Sequence, residues 1–398
     1  MPGPTKRRIG FLFNHDQAHQ IAHSLPIAFA LIDGGFDGEI LLAVSNDHLE
    51  REVRRVAGDR LGRQVQLVRL GLGAGARRLD HALGELVPAG KILLYRDNLD
   101  FFRSLDLLVV SEKTSLLLKK RYRLDNLKIV HTRHGAGDRA IGFDPASRGF
   151  DLVLCSGPLI RRRLIADAGV DAARIRIVGY PKFDLVEPAR PRSPLFSGSG
   201  TTTLYNPHPS PHLSSWFRDG RAVLDQFVGG GCDNLVFAPH VMLFQRRVVV
   251  TIDRLSLKRP GRIATDYLRS DHLKIDLGST ASTDMSYTLG ADVYLGDASS
   301  QVYEFLLRPR PCIFLDSHRQ RWRDNPNFAH WTAGQVINDP ADLPAALERS
   351  QRLHSQHYRA VQEALFADRF DLNGRPSSVR AAAAVMELAG ERKLLQAA

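Results

Sequence analysis

The segment 291–316, ADVYLGDASSQVYEFLLRPRPCIFLD, has the clearest chemical pattern in the sequence. A strand-like run ends near Asp297, the pair Ser299 and Ser300 follows, and a helix predicted over 301–307 is stopped by two prolines. One serine could simply cap that helix. Because backbone N–H groups at the start of a helix attract phosphate, and serine hydroxyls add donors, we favour a phosphate-binding turn.

Histidines follow three other strand-like runs. His134, next to Gly135, follows the run 127–131, while His208 and His240 follow runs at 203–205 and 235–238. A histidine titrates near neutral pH, as a general base needs, but each of these could be structural, and an isolated His-Gly pair is more often a simple turn. What they share is their position, because ligands of open parallel sheets bind beyond the carboxyl ends of the strands.

The elements that must position these residues alternate in type along the chain. Strand-like runs occur at 9–14, 39–44, 65–70, 91–95, 105–110, 127–131, 152–155, 176–178, 203–205, 235–238, 273–275, 293–295 and 312–315. Helical spacing occurs between them at 17–32, 47–56, 77–87, 213–227 and 301–307, and again in the Ala-rich tail. This alternation predicts parallel sheets covered by helices on both faces.

Length and composition divide this pattern into two domains. A chain of 398 residues is too long for one ordinary core, and the composition changes to Pro, Ser and Gly around 187–203. We therefore predict a first domain over 1–188, a linker or mobile loop over 189–202, a second domain over 203–375 and a C-terminal helix over 376–398.

Charge and cysteine usage limit the partners and the compartment. The formal net charge of +11 favours anionic partners such as nucleotides or acidic lipid headgroups. Cys155, Cys232 and Cys312 lie far apart, which predicts a reducing, cytoplasmic location. No apolar run approaches the ~20 residues of a membrane span, so we expect any membrane contact to be peripheral. No acidic pair of the DxD kind ends a strand, and we expect neither a metal nor another cofactor.

These residues resemble the CDP-glycerol:poly(glycerophosphate) glycerophosphotransferase family of teichoic-acid primases and polymerases. The resemblance covers about 105–316, and its most specific part is an aspartate, two serines, an acidic residue and a proline, here Asp297, Ser299, Ser300, Glu304 and Pro311. It implies an α/β fold of the GT-B type, with two Rossmann-like doubly wound domains facing a cleft.

Four further segments carry the resemblance, two of them more loosely. The family's His-Gly motif is matched by His134 and Gly135, and its Gly-x-Pro-Arg-x-Asp motif by 179–184, with Lys182 in place of the arginine. Looser echoes follow two strands, at 206–208 and 238–240. The resemblance implies that His134 is the base and that His240 contacts donor phosphates. The residues implied to bind the donor are Gly135, Lys182, Asn206, Pro207, His208, Pro239, Asp297, Ser299, Ser300 and Glu304.

The implied reaction moves glycerol phosphate, or a related polyol phosphate, from a CDP-linked or other nucleotide-activated donor to a hydroxyl of a glycolipid or polymer. One alternative is a GT-B sugar transferase or an enzyme like the nucleotide-sugar 2-epimerases. A nucleic-acid-binding module is the other alternative. Nucleic acid is not the expected partner, because the basic residues are scattered and no RNP, KH or zinc-finger pattern occurs.

Basic clusters at 119–123, 161–163 and 319–323 could dock on an anionic membrane surface, where a lipid-linked acceptor would reside. The last of them includes Trp322. The alternative is that each cluster is an ordinary solvated helix face.

Overall fold

The computed structural model describes residues 6–15, 18–73, 89–133, 137, 142–188, 193–245, 248–251 and 256–390. The chain forms two compact units. The first comprises Met1–His134, Phe143–Val186 and Asp368–Ala398, and the second comprises Gly135–Gly142 and Glu187–Ala367. Each unit therefore contains more than one stretch of the chain.

The first unit is built around a parallel sheet. Its strands within the described residues are β1 (Arg7–Phe13), β2 (Gly38–Val44), β3 (Gln66–Arg69), β4 (Leu107–Val110), β5 (Lys128–Thr132), β6 (Leu152–Cys155) and β7 (Ile175–Ile177). All pair in parallel, in the order β3-β2-β1-β4-β5-β6-β7. Along β1, Phe11 and Phe13 face one hydrophobic core and Leu12 faces the other. Both faces of the sheet are therefore covered, as apolar parallel strands require.

One helix predicted for this unit differs in the structure. Within the described residues, the helices before its last strand are α1 (Leu25–Asp33), α2 (Asp47–Ala57), α3 (Ala89–Asp97), α4 (Leu99–Arg103), α5 (Leu117–Lys120) and, between β6 and β7, α6 (Pro158–Ala166). The single helix predicted over 17–32 is instead a 3-10 segment, Ala18–His23, followed by α1. Pro26 explains the break, because proline lacks an N–H and fits only the first turn of a helix.

The strand predicted over 91–95 is wrong, because these residues form α3. Leu94 and Tyr95 are buried there, and the Tyr95 hydroxyl accepts a hydrogen bond of 2.9 Å from the Asn14 amide. The Asn98 side chain donates to the Leu94 carbonyl at 2.8 Å, one helical turn earlier. A short apolar run has no decisive period, and here the local Asn98 contact and the tertiary Asn14 contact both fit the helix. The helix predicted over 77–87 lies outside the described residues.

The second unit has a sheet of its own. Its strands among the described residues are β8 (Thr202–Asn206), β9 (Asn234–Phe237), β10 (Val249–Thr251), β11 (Ser256–Lys258), β12 (Leu273–Ile275), β13 (Val293–Gly296), β14 (Cys312–Leu315) and β15 (Gln335–Ile337). Six of them form a parallel sheet in the order β12-β9-β8-β13-β14-β15, and β10 and β11 form an antiparallel hairpin. The hairpin and β15, whose strands have only three residues each, were not predicted, although the equally short β7 and β12 were.

The helices of the second unit are mostly short. They are α7 (Trp216–Val228), α8 (Met242–Gln245), α9 (Thr265–Arg269), α10 (Ser286–Gly290), α11 (Val302–Phe305), α12 (Leu343–Leu353) and α13 (Arg359–Arg369). The helix predicted over 301–307 is reduced to the four residues of α11. A π-helical turn, His354–Tyr358, joins α12 to α13. Over the described parts of the chain, no helix combines the length and apolarity needed to cross a membrane.

The C-terminal helix α14 (Ser377–Ala389) returns to the first unit, where it packs beside α1 in the core. It covers part of the helix predicted over 376–398. The helix ends at Ala389 because Gly390 adopts a left-handed φ of 84°, which favours glycine after a helix.

The motif at 179–184 holds α14 in place. The Asp184 carboxylate accepts hydrogen bonds from the amides of Ser377 and Ser378, at 3.2 and 2.6 Å, and the Ser377 hydroxyl accepts one from the Tyr180 amide at 2.9 Å. Gly179 has a φ of 84°, and a Cβ there would lie 2.3 Å from the Ser377 Oγ. In this protein the motif therefore acts as a clamp on the start of α14.

Removing the clamp is expected to destabilise the first unit. Asp184→Ala should lower the free energy of unfolding by about 1 to 2 kcal/mol, as loss of a helix cap does. Asp184→Asn should cost less, because an asparagine oxygen also accepts hydrogen bonds at a helix start. Denaturant unfolding measures both, with Asp125→Ala as the control at an exposed site. Equal losses for all three variants would contradict the clamp.

Candidate functional site

The second sheet reverses its winding direction between β8 and β13, which are neighbours although far apart in sequence. Their register pairs Asn206 with Gly296, the last residue of each strand. The segments that follow, at 207–210 and 297–301, therefore leave the same edge of the sheet side by side. Such a switch point is where open α/β sheets bind their ligands.

The Asp297 carboxylate organises this edge. It accepts hydrogen bonds from the amides of His208, Ser215 and Ala298, at 2.8, 2.6 and 2.6 Å, and from the Ser215 hydroxyl at 2.8 Å. Because the single Ser215 hydroxyl proton goes to Asp297, the Tyr205 hydroxyl must be the donor in its 2.8 Å contact with Ser215. Burial raises the pKa of Asp297, and these hydrogen bonds oppose the rise.

The backbone carbonyl of Asp297 is held as firmly as its side chain. It accepts hydrogen bonds from the His330 imidazole at 2.9 Å and the Trp331 indole at 2.8 Å. Both rings are buried. The sequence analysis missed Ser215, His330 and Trp331, and only the Ser-Ser-Trp run at the start of α7 carried a signal, that of a helix start.

Asn206 links three strand ends through its side-chain amide. Its oxygen accepts a hydrogen bond of 2.6 Å from the Ser299 hydroxyl and a longer one of 3.4 Å from Tyr294. Its nitrogen donates to the Ala238 carbonyl at 2.6 Å. The side chains of Asn206, Asp297 and Ser299 therefore form the hydrogen bonds that build the turn. Direct binding of a donor by these three residues stays a prediction.

The serine pair divides into a buried and an exposed member. Ser299 is 1% exposed, whereas Ser300 lies at the surface. In the part of the chain that the structure describes, neither the Ser299 amide nor the Ser300 amide has a hydrogen-bond acceptor. Ser299 is buried, and a buried amide normally has a partner, so the turn offers this donor to a bound acceptor. The Ser300 amide lies at the surface, where a ligand would replace water.

Two histidines lie at the same edge, with ring centroids 6.2 Å apart. The Nδ1 of His208 accepts from the Ser210 amide at 3.0 Å, and the Nδ1 of His240 accepts from the Met242 amide at 3.3 Å. When such a ring is neutral, its proton therefore sits on Nε2. Burial lowers the pKa of His240 to about 4, so this ring is a neutral donor at neutral pH.

The predicted base, His134, and the neighbouring Gly135 lie outside the described residues. Gly137, which is described and belongs to the second unit, lies against the serine pair. A Cβ on Gly137 would come within 3.1 Å of the Ser300 Cβ, so the backbone passes close to the turn. The structure thus brings one residue of the His-Gly segment to the switch point.

The remaining predicted residues are less centrally placed. Pro207 and Pro239 are buried directly after β8 and β9, and Pro207 accepts a 3.1 Å hydrogen bond from the His240 amide. Glu304 is buried within α11. Lys182 is buried in the first unit, in the 3-10 turn after β7. Their roles in donor binding stay predictions.

The structure is similar to those of several solved proteins. A histidine-to-asparagine variant of the wall teichoic acid polymerase TagF with CDPG gives a TM-score of 0.60 at 13% identity, covering 97% of this chain and 88% of that chain. A putative UDP-N-acetylglucosamine 2-epimerase from Listeria monocytogenes gives 0.61 at 12%, covering 98% of each. The MnaA–UDP structure from S. aureus gives 0.61 at 12%, covering 97% and 98%.

The similarity defines the fold class. No family model and no curated protein matches the sequence. At these identities the solved structures show the fold alone, and together with the two parallel-sheet units they establish a GT-B fold. The predicted fold class is therefore confirmed.

The lowered pKa of His240 predicts a pH dependence of stability. Between its ordinary value of 6.5 and about 4, the unfolded chain binds a proton that the folded chain does not. The free energy of unfolding should therefore fall as the pH drops through this window, and His240→Asn should reduce the fall. Calorimetry across the window tests this, with His48→Asn, at an exposed site, expected to behave as wild type. An undiminished fall in His240→Asn would contradict the assignment.

Proposed function

We propose that this protein is a GT-B transferase that holds the diphosphate of a nucleotide-activated donor at the turn after β13. The observation that carries the proposal is the pair of amides, of Ser299 and Ser300, for which the described residues provide no hydrogen-bond acceptor. Consecutive amides in a turn form a concave site for phosphate oxygens. The exposed Ser300 hydroxyl adds a further donor.

The histidine pair suits the same ligand. Since its Nδ1 accepts from the backbone, His240 presents Nε2–H as its donor. A neutral imidazole adds a hydrogen bond without adding charge. Phosphoryl transfer from a CDP-polyol expels CMP, and glycosyl transfer from a nucleotide sugar expels the nucleoside diphosphate. Both depend mainly on positioning the donor phosphates and stabilising the charge of the leaving group, which this arrangement would supply.

The base is assigned to His134. The support is the sequence resemblance, together with the approach of Gly137, three residues further on, to Ser300. His134 would take the proton of the acceptor hydroxyl as that oxygen attacks the donor. On this assignment His240 contacts phosphate, and its lowered pKa keeps the ring neutral at neutral pH, as a hydrogen-bond donor without charge.

The donor we favour is CDP-glycerol or a related CDP-polyol. The motifs at 134–135, 179–184 and 297–311 support this choice, as does the structural similarity to TagF. A nucleotide sugar is the second candidate, and the similarity to the putative 2-epimerase and to MnaA with UDP favours it. The phosphate-binding turn serves either donor.

A donor screen tests the function. Purified protein with a glycerophosphate-primed acceptor should release CMP from CDP-glycerol, and His134→Ala should lower turnover by about a hundredfold or more while CDP affinity is kept, as expected for loss of a general base. His48→Ala is the control at an exposed site. Nucleotide release from UDP- or CMP-sugars alone would favour the second candidate. The proposal would be overturned if the protein neither released nor bound any nucleotide.

The acceptor is proposed to lie at an anionic membrane, reached through the insert between β9 and β12, residues 238–272. This insert carries the three most exposed large hydrophobic side chains in the described residues, Met242, Leu257 and Leu268, at 47%, 63% and 58%. Exposed basic residues accompany them, namely Lys258, Arg259, Arg262 and Arg269. Apolar side chains among basic ones fit an anionic lipid surface.

Trp322, the aromatic side chain within the predicted basic cluster at 319–323, is half-buried and therefore less available for insertion into a membrane. Its ring lies 5.9 Å from that of Trp331, and the Arg323 guanidinium covers it at 4.8 Å. The insert therefore offers a better means of membrane contact than this cluster.

Vesicle sedimentation tests the insert. The protein should bind phosphatidylglycerol vesicles more than phosphatidylcholine vesicles, and salt should weaken the binding. The double variant Lys258→Gln and Arg259→Gln should bind about tenfold or more weakly, because each basic side chain near an anionic surface contributes about 1 kcal/mol. Leu257→Ser should also weaken it, unlike Leu185→Ser at an exposed site of the first unit. Equal binding to both vesicle types, or none, would contradict the membrane role.

A further inference from the structure

A groove of about 560 Å³ lies beside β15, the edge strand of the second sheet. Its walls come from the loop 316–325 after β14, from the 3-10 segment Pro326–Ala333 and from the π-helical turn His354–Tyr358. This volume falls within the ~300 to 1,000 Å³ of small-molecule sites. The groove is separate from the turn proposed to bind the donor.

Two segments of irregular backbone line this groove, the loop 316–325 and the π-helical turn. Asp324 in the loop has a left-handed φ of 59°, which is uncommon outside glycine. The π-helical turn presents His357 and Tyr358, and buried Gln362 holds it by contacting His354 at 3.2 Å and donating to the Ala333 carbonyl at 2.8 Å. Such departures from regular structure occur often at functional sites.

The lining combines aromatic surface with a polar rim. Trp322 and Tyr358 are partly buried aromatic walls, with Trp331 buried behind Trp322. Asp324 and His357 are exposed polar groups at the same groove. Aromatic rings pack against the C–H face of a sugar ring, while a carboxylate and an imidazole can hydrogen-bond its hydroxyls.

The charges favour a neutral ligand over a phosphorylated one. Among the residues that line the groove, Arg323 and Asp324 are adjacent and of opposite sign, so their charges offset each other there. The Arg323 guanidinium also packs over the Trp322 ring, 4.8 Å from its centroid. We propose that this groove is a second binding site, which takes a neutral saccharide ring.

The groove shares one residue with the switch point. Trp331 lines the groove, and its indole N–H donates to the Asp297 carbonyl at 2.8 Å. A single residue, Trp331, therefore separates a saccharide packed in the groove from the donor turn. The binding itself does not depend on the transfer reaction, so it can be tested without a donor or an acceptor.

Saturation-transfer NMR and tryptophan fluorescence test the site with three probes: maltotriose and the N-acetylglucosamine trimer as neutral saccharides, and glucose 6-phosphate as an anion. At least one neutral probe should bind, and the anion should bind more weakly. Trp322→Ala should weaken the binding about tenfold or more, as loss of a central aromatic contact does, and Trp322→Phe should retain most of it.

Two further variants keep the result interpretable. Asp324→Asn should weaken binding severalfold with the fold intact, because asparagine tolerates a left-handed φ and only the charge is lost. Tyr122→Ala, which removes a similar arginine-covered aromatic ring from the first unit, should bind as wild type. The proposal is overturned if no neutral probe binds, if only the anion binds, or if Tyr122→Ala weakens binding as much as Trp322→Ala.

Discussion

The second unit depends on the buried carboxylate of Asp297. Four donors converge on its two oxygens, from the segment after β8, from the residue before α7 and from its own turn. A buried carboxylate without such donors would be costly, so these segments cannot separate from one another without a large loss of free energy. The switch-point edge is therefore held rigid, and with it the position of the serine pair.

This constraint divides the residues of the site into two groups. Asn206, Asp297 and Ser299 use their side chains to build the turn, which leaves backbone amides and the Ser300 hydroxyl to face a ligand. The helix that follows has only four residues, so its macrodipole contributes little, and the turn itself must supply the donors. The chemistry of phosphate recognition thus comes from the backbone, while the side chains with the clearest sequence pattern fix its shape.

In the first unit, the motif at 179–184 likewise uses residues with a clear sequence pattern to build the structure. Its glycine has a left-handed φ, and its aspartate caps α14, a helix that begins almost two hundred residues later. A motif associated with a family of transferases therefore has a structural task in this protein. The cap attaches the C-terminal segment of the unit to its earlier segments. In this unit α14 packs in the same hydrophobic core as β1 and β2.

The sequence by itself determined the alternation of strands and helices and, to within one residue, where β8, β9 and β13 end. The family resemblance of the motifs at those strand ends implied the GT-B class. Parallel strands buried on both faces leave a plain apolar signal in the sequence. Tertiary structure decided the rest. The run 91–95 became a helix in which the Tyr95 hydroxyl contacts distant Asn14, and the hairpin β10–β11 and the edge strand β15 are defined by their pairing with neighbouring strands. Ser215, His330 and Trp331 joined the site through hydrogen bonds to a residue far away in sequence, and no local pattern encodes a partner at that distance.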